Sequence, residues 1–596
     1  MKHSVPALLT TVFLFMSVAF ISAQDRVCYT GTELSNPYRH DGQLSPAVGV
    51  HNIQLLRANR DSITATYNFG WTYNHQPMMC YWNGKFYLHF LCDSTDEHIP
   101  PSRTVLMTSP DGYHWSSPEI LFPEYKVPEG FTKKGRTDTA HNLTAIMHQR
   151  VGFYVASNGR LLATGNYGIA LDRKDDPNDG NGIGRVVREI KKDGTFGPIY
   201  FVYYNHDFNE KNTDYPFYTR ARDKGFIKAC REMMDNPLYR MQMVEEADRN
   251  DPMLPLNKPY KAFCYYYLPD DRIVGLWKHA LTSISNDGGN TWEEPVERAK
   301  GFVNSNAKIW GQKLSDDTYA TVYNPAEYRW PLAISLSNDG LEYTTLNLIH
   351  GIVPPMRYGG NYKSFGPQYA RGIQPGNGTP PDGDLWVSYS VGKEDIWVSH
   401  IPVPVRQKVT EYVQDDISHA TQLCDLREWN LYAGIATPVT LENKKGTRWL
   451  TITDKDPFSF AWVERKIPES RVLKVSDMGT CKSTLPMPKV SPAPEWNLPT
   501  VSCEPKEGPV IPKWGNTLPE KSTISMWNYR SETAIILFIS TVRKKRHVCS
   551  SLLYRESNAL YSVPAPSIRY RPPTRRLTNI SISKMPDKKK PRQPTA

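Results

Sequence analysis

The sequence predicts an all-β fold: a six- or seven-bladed β-propeller, seven blades being favoured, followed by an incomplete β-sandwich. Three observations carry this prediction: short strands separated by turns between residues 63 and 404, a turn motif that occurs three times, and the spacing of that motif. With 39% hydrophobic and 12% aromatic residues, most of the 596-residue chain can bury a core. The composition therefore excludes a wholly disordered chain and a multi-span membrane protein.

The first 23 residues have the features of a cleavable signal peptide. Lys2 precedes an apolar run over residues 7–21, and the small Ala23 follows it. A membrane anchor would need a longer apolar span. We therefore expect an exported protein, periplasmic or secreted, with no transmembrane segment and a mature chain that begins near Gln24.

The first clear hairpin turns at Asn83-Gly84, a dipeptide typical of two-residue turns. Counting back from this turn pairs Cys80 with Tyr87 and His75 with Cys92. Residues 219–248 depart from the strand pattern, because their apolar residues recur at helical spacing around a break at Asn236-Pro237. We expect a helical insertion there.

The repeated turn is clearest at residues 285–292, which match the S-x-D-x-G-x-T-W pattern called an Asp-box. Residues 109–115 form a shorter version and residues 337–343 a weaker one. We expect Asp111, Asp287 and Asp339 to accept backbone N–H groups and Trp292 to wedge between sheets, so that these residues are structural.

The spacing of the Asp-boxes predicts the number of blades. Ser285 and Ser337 are 52 residues apart, about one four-stranded blade, and Ser109 and Ser285 are 176 residues apart, about three blades plus a surplus that the insertion would absorb. Six or seven blades then fit between residues 50 and 405, which places the propeller at residues 24–405.

The Asp-boxes resemble those of sialidase-like (BNR-repeat) propellers. Over roughly residues 45 to 476 the chain resembles exported sialidase-like proteins of gut Bacteroidetes. It is distantly similar to the seven-bladed propellers that include rhamnose-glucuronate hydrolases and ulvan lyases. The segments that carry this resemblance are residues 147–154, 197–201, 310–312, 357–360, 365–369 and 390–399. The resemblance implies a carbohydrate-active protein, a glycosidase or a lyase, in polysaccharide degradation, with no cofactor or metal.

In the related hydrolases and lyases a histidine at the start of such a strand is catalytic, and His75 matches it. A near-neutral pKa would suit His75 to general acid or base work. Asn74 and Gln76 beside it are expected to bind substrate. The alternative is that His75 is a hydrogen-bonded packing residue.

Two further groups are candidates for sugar binding. His148 and Arg150 share one face of a strand, and Arg150 could bind a sugar carboxylate with two hydrogen bonds or pair with a structural aspartate. Trp310 and Gln312 also share a face, so a sugar ring could stack on Trp310, as on a platform, while Gln312 hydrogen-bonds to a sugar hydroxyl.

A Gly-rich loop and the strand after it supply the last polar-aromatic group: Arg357, Tyr358, Tyr369 and Arg371. Tyr358, like His75, could serve as the base of a lyase. Glu394 and Asp395 are adjacent on a predicted strand and would face opposite ways, so we expect them to close the last blade.

A true sialidase needs three arginines for the carboxylate, a Tyr–Glu nucleophile pair and an aspartic acid. Arg150, Arg329, Arg357 and Arg371 are available, but the arginine-bearing N-terminal motif of sialidases is not evident.

The net charge of +10 is concentrated in the last 120 residues. Residues 477–596 hold 20 Lys+Arg and 8 Asp+Glu, whereas residues 25–476 hold 50 and 53, a net charge of −3. Nothing in the folded part therefore predicts nucleic acid as a partner. We expect a glycan partner, acidic in nature, bound by a few placed arginines.

Residues 406–476 resemble the start of the β-sandwich that follows the propeller in this family. After Ser476 the resemblance stops, and residues 477–596 form a basic, Pro-rich tail. One hypothesis is that a reading-frame shift replaced the rest of the sandwich. The other is a natural basic tail that binds an acidic glycan or a membrane surface.

Three functions remain open from the sequence. The first is an exo-acting glycoside hydrolase on a uronic-acid-containing glycan, and a polysaccharide lyase on a uronate is second. The third is a glycan-binding propeller without catalysis.

Overall fold

The computed structural model describes residues 25–61, 70–133, 135–147, 152–173, 175, 177, 182–205, 207–243, 260–409, 417–444, 447–453 and 460–465, with the backbone of 553–556 and 559–562. The expected signal peptide, His148, Arg150 and the basic tail, apart from those two short strands, lie outside these residues.

Five antiparallel sheets follow one another as the blades of a propeller. Two strands precede them: β1 (Cys28–Tyr29) and β2 (His51–Leu56). Blade 1 contains β3 (Tyr73–Trp82), β4 (Lys85–Asp93), β5 (Ser102–Ser109) and β6 (Glu119–Phe122). Blade 2 contains β7 (Ile146–Met147), β8 (Gly152–Val155), β9 (Leu161–Gly168), β10 (Gly184–Ile190) and β11 (Phe196–Tyr204). Blade 3 contains β12 (Cys264–Tyr267), β13 (Ile273–Trp277), β14 (Leu281–Ser285) and β15 (Glu297–Arg298).

Blades 4 and 5 each receive an N-terminal strand. Blade 4 contains β16 (Trp310–Lys313), β17 (Tyr319–Tyr323), β18 (Leu332–Ser337), β19 (Glu342–Tyr343) and β20 (Asn347–His350), with β1 parallel to β19. Blade 5 contains β21 (Pro367–Arg371), β22 (Leu385–Val391) and β23 (Asp395–Ile401), with β2 antiparallel to β23. The joining of β2 to the last blade closes the ring.

The prediction of six or seven blades is wrong, because the described residues form five. The 176 residues between the first two Asp-boxes contain one complete additional blade, blade 2, rather than two. The remaining length lies in the connection over residues 123–145 and in the segment between β11 and β12. Blade spacing is therefore a poor guide where the loops are long.

Two helices form the predicted insertion between blades 2 and 3: α1 (Lys224–Asp235) and α2 (Pro237–Met243). Asp223 caps α1 by accepting the N–H groups of Gly225 and Phe226. Pro237 then begins α2, because its fixed φ and its missing N–H suit the first position of a helix. Three short 3-10 turns lie elsewhere, at Lys278–Ala280, Ile417–His419 and Leu423–Asp425, and a fourth precedes α1 at Tyr218–Arg220.

The β3–β4 hairpin departs from the predicted register at its far end. Cys80 pairs with Tyr87 as predicted, but His75 pairs with Leu91 rather than with Cys92. A β-bulge between His75 and Met78 causes the shift. Pro77 has no N–H to donate to the ladder, and Gln76 has a φ of 55°. The bulge therefore changes the direction of the chain next to the candidate catalytic histidine.

The segment after the propeller continues blade 5. β24 (Trp429–Ala433) pairs in parallel with β2, and β27 (Trp462–Arg465) pairs with β24, which gives a six-stranded sheet. The Asn430 side chain donates to the carbonyl of Ala47 (2.8 Å) and accepts the N–H of Gly49 (2.7 Å). The expected boundary near residue 405 thus falls inside one sheet. Two hairpins complete the described strands: β25 (Val439–Lys444) with β26 (Thr447–Ile452), and β28 (Leu553–Glu556) with β29 (Ala559–Ser562).

Each Asp-box connects the third and fourth strands of its blade. Asp287 Oδ1 accepts the N–H of Thr291 (2.8 Å), and its Oδ2 accepts the Thr291 hydroxyl (2.6 Å). These two hydrogen bonds lower the pKa of Asp287. Asp339 accepts the N–H groups of Leu341 (2.8 Å) and Glu342 (2.9 Å).

The first Asp-box follows the same arrangement. Asp111 accepts the N–H groups of Tyr113 and His114, both at 2.8 Å. In the box of blade 3, Trp292 is buried against Phe263 and Trp277. All three carboxylates are thus used to hold turns.

Replacing Asp339 by alanine is expected to lower the free energy of unfolding by about 1–3 kcal/mol, because two backbone N–H groups lose their acceptor. Denaturant unfolding of the two proteins measures the difference. Asp138→Ala is the matched control, since Asp138 is exposed and pairs with Arg136 on the surface. Equal losses in both variants would contradict a structural role for the Asp-box.

Candidate functional site

The candidate site lies at the end of the propeller opposite the Asp-box of blade 1. Tyr73, at the start of β3, pairs with Asp93, and Asp93 pairs with Ser102, so this end carries the β4–β5 loop. The Asp-box begins at Ser109, which pairs with Phe86 beside the β3–β4 turn. The end opposite the Asp-box also holds the start of the innermost strand of each blade and the loops that join the second and third strands.

Three cations surround one tyrosine at this end. The distances to the centre of the Tyr369 ring are 4.8 Å from Lys308 Nζ, 5.1 Å from Lys278 Nζ and 5.2 Å from Arg329 Cζ. We call Lys278, Lys308 and Arg329 the cation cluster. They come from blades 3 and 4, and Tyr369, at a bulge in β21 with a φ of 63°, comes from blade 5. The packing of blades 3, 4 and 5 against one another brings them together.

Arg329 is held by neutral oxygens. Its guanidinium donates to Asn306 Oδ1 (2.9 Å), Ser364 Oγ (3.1 Å) and Gln368 Oε1, and no carboxylate of the described residues pairs with it. Arg329 is half-buried, and none of these oxygens carries a charge that would neutralise the guanidinium. The guanidinium therefore keeps its charge available for an anionic ligand.

Gln76 contributes to the same centre. Its side-chain oxygen accepts a hydrogen bond from Lys308 Nζ, and its amide nitrogen is buried without a hydrogen-bond partner among the described residues. A ligand oxygen placed there would satisfy that nitrogen.

His75 lies against the cluster. Its ring centre is 4.2 Å from that of Tyr369, and its Nδ1 is 2.6 Å from Ser390 Oγ. Its Nε2 is buried with no hydrogen-bond partner in the described part of the chain. One nitrogen is thus anchored and the other is free for a ligand.

The expected near-neutral pKa of His75 is wrong for the free protein. Burial lowers the pKa well below its usual range, and Lys393, Arg329, Lys308 and Lys278 lower it further. The imidazole is therefore neutral throughout the physiological pH range.

Lys393 differs from the cluster because it has an acidic partner. Its Nζ is 2.7 Å from Glu97 Oε2, and both side chains are buried. Burial alone would raise the pKa of Glu97, but Lys393 holds it below its usual value. This pair fixes the β4–β5 loop of blade 1 to the β22–β23 turn of blade 5.

Arg357 and Tyr358 serve the closing blade instead of the centre. The guanidinium of Arg357 pairs with Asp395 and donates to the carbonyl of Ala58. The backbone N–H of Tyr358 donates to Glu394 (2.8 Å), and its hydroxyl accepts the N–H of Arg60 (2.9 Å). Glu394 and Asp395 are used as structural anchors of blade 5.

Four other candidates are engaged in packing. The Asn74 amide donates to the backbone oxygens of Trp71 and Glu394. Trp310 is fully buried, donates to Gln312 (3.1 Å) and has the guanidinium of the buried Arg371 over its ring. The Arg371 guanidinium thus lies over a face of the ring on which a sugar would have to stack.

The sequence interpretation missed the lysines of the site. Lys278 and Lys308 lie just outside strands, at positions that carry no motif, and Arg329 was only one of four available arginines. The sequence could have indicated Lys308, because this residue lies two positions before β16, where the strand pattern predicts a buried side chain.

Asp382, Asp384 and His400 bring three possible metal-ligand atoms within 4.8 Å of one another, at a different place in blade 5. Arg427 donates two hydrogen bonds to Asp384, at 2.6 and 2.8 Å. A guanidinium thus already supplies the positive charge there.

Comparison with known proteins agrees with this architecture. Residues 25–260 match the family described as "BT_1020-like, N-terminal beta propeller", and residues 429–480 match "Sialidase-like, CBM domain". A solved structure described as a sialidase is 68% identical with a TM-score of 0.73, and the alignment covers 75% of this chain and 41% of that one. The resemblance to sialidase-like propellers is confirmed, and the chain spans about two fifths of that sialidase.

Weaker likenesses extend to other solved structures. A trans-sialidase-active mutant of Trypanosoma rangeli sialidase is 9% identical (TM-score 0.36, 60% of this chain, 59% of that one). A protein of unknown function from Dyadobacter fermentans is 15% identical (TM-score 0.34, 59% and 98%). No curated protein matches the chain, and within the described residues no helix is long and apolar enough to cross a membrane.

Proposed function

We infer that the protein is an exported carbohydrate-active enzyme, an exo-acting glycoside hydrolase on a uronic-acid-containing glycan. The cation cluster is the observation that carries this proposal. Three cations around Tyr369 form a site for a carboxylate, and His75 beside them can move a proton.

Each residue of the site has a proposed role. The cation cluster holds the sugar carboxylate, with Arg329 offering two parallel N–H groups. Tyr369 is the candidate nucleophile, because its hydroxyl makes no hydrogen bond to a described residue and its ring packs against the ring of the candidate base His75. Gln76 orients a sugar hydroxyl.

A uronate lyase is the second candidate, and the same geometry favours it. A lyase needs a base for the proton next to the carboxylate and cations that stabilise the charge developing on that group. His75 and the cation cluster would supply both. A glycan-binding propeller without catalysis is the third.

The comparisons support a carbohydrate as the ligand. Similarity to a sialidase over the propeller and to a sialidase-like carbohydrate-binding domain at residues 429–480 is what a glycan-directed protein would have.

Incubation with oligosaccharides that carry terminal or internal D-glucuronate distinguishes the three functions. A hydrolase releases monosaccharide without new absorbance, and a lyase produces the absorbance of a new C=C bond. Binding without either product would identify a binding protein, and no binding would contradict the acidic-glycan proposal.

His75→Ala is expected to reduce turnover by about 100-fold or more while the glycan still binds, because general acid–base catalysis contributes at least that factor. Steady-state rates and calorimetric binding measure the two effects. His141→Ala, a change at an exposed histidine, is the control. Unchanged turnover in His75→Ala would remove the catalytic assignment.

A further inference from the structure

The charges around His75 are mostly of one sign. Facing it are Tyr73, Asp93 and the Glu97–Lys393 pair at blades 1 and 5, Tyr369 of blade 5, and the cation cluster of blades 3 and 4. Burial raises the pKa of Asp93 well above its usual range, which favours the uncharged form of this acid. The cation cluster has no described carboxylate at Arg329 to balance it.

We propose that the substrate's own negative charge makes His75 competent to hold a proton, so that acid–base chemistry starts only when an acidic sugar occupies the cation cluster. The geometry requires this coupling, because the ring beside His75 is the ring that the three cations surround. A carboxylate that contacts them brings a negative charge next to the imidazole, and nearby opposite charges favour the charged form. A neutral sugar of the same shape brings none.

This inference rests on the proposed function, because it assumes an acidic ligand. It adds a form of specificity that binding alone does not give: a neutral sugar that enters the site meets a histidine that stays neutral. Ser390 holds Nδ1, and Nε2, which has no hydrogen-bond partner among the described residues, is the nitrogen that faces the ligand.

Histidine nitrogen NMR between about pH 5 and 8 tests the inference, with the His75 signal assigned by His75→Gln. Saturating D-glucuronate should raise the protonated fraction of His75 about tenfold at a fixed pH near 5, whereas D-glucose should not. Lys308→Met should raise it in the free protein, because one cation is removed.

An unchanged His75 signal in Lys308→Met, or in a glucuronate complex shown by calorimetry to be saturated, would overturn the inference. If Lys308→Met raises the protonated fraction but glucuronate does not bind, the effect of the cations on His75 is confirmed. The proposal that the ligand is a uronate is then contradicted. The two failures are thus distinguishable.

Discussion

Replacing Arg329 by methionine is expected to weaken binding of a D-glucuronate-terminated glycan by about 10- to 100-fold, since a charge-assisted contact contributes about 1.5–3 kcal/mol. Arg329 is the member of the cation cluster whose partners are all neutral oxygens, so a bound carboxylate is the anion that its charge would meet. Binding of a neutral glucose-terminated glycan should change little. Calorimetric titration of both ligands measures the difference.

Two controls separate charge from fold. Arg329→Lys keeps the charge and should restore part of the affinity, although it loses the paired N–H groups of arginine. Arg298→Met removes an exposed arginine of blade 3 and should leave binding unchanged. Equal loss of affinity for the neutral and the acidic glycan would mean that Arg329 shapes the loop and does not read the carboxylate.

Acid is expected to unfold the protein well before its carboxylates are protonated. Burial lowers the pKa of His51, His89 and His350 to about 3 in the folded protein. In the unfolded chain these histidines take up protons near pH 6.5, so the unfolded state binds more protons throughout the interval between the two values. The stability they contribute is complete above about pH 6.5 and is lost as the pH falls towards 3.

These three groups alone contribute a fall in the free energy of unfolding of about 4 kcal/mol per pH unit below about pH 6. Urea unfolding at a series of pH values measures the slope. His89→Leu should reduce the slope by about 1.4 kcal/mol per pH unit, because it removes one of the three groups while leucine keeps much of the packing on Phe153. The exposed His141→Leu should leave the slope unchanged. The same slope in His89→Leu and the unmodified protein would contradict this account.

The class of fold could be read from the sequence because the Asp-box is a local device. Its carboxylate, its glycine and its aromatic residue all lie within eight residues, so nothing distant is needed to recognise it. The number of blades depends instead on how much chain the loops consume. The connection before blade 2 and the helices α1 and α2 took the length that the spacing assigned to further blades.

The site was only partly predictable for a similar reason. His75 could be proposed because the resemblance to related hydrolases and lyases implies a histidine at the start of that strand. The cation cluster could not, because Lys278, Lys308 and Arg329 come from separate segments that the packing of blades 3 and 4 brings together around Tyr369. Arg357 was a candidate for sugar binding, but the sequence cannot show that its guanidinium pairs with Asp395.

The closure of the ring by β2 sets the order of events during synthesis. The six buried residues of β2 leave the ribosome early, but their partner β23 follows about 340 residues later. At about 5–20 residues per second this delay is roughly 20–70 s, and a strand that is buried in the finished fold is open to pairing with other chains throughout it. The nascent chain is therefore expected to depend on a holding chaperone until blade 5 is made, whatever the stability of the finished ring.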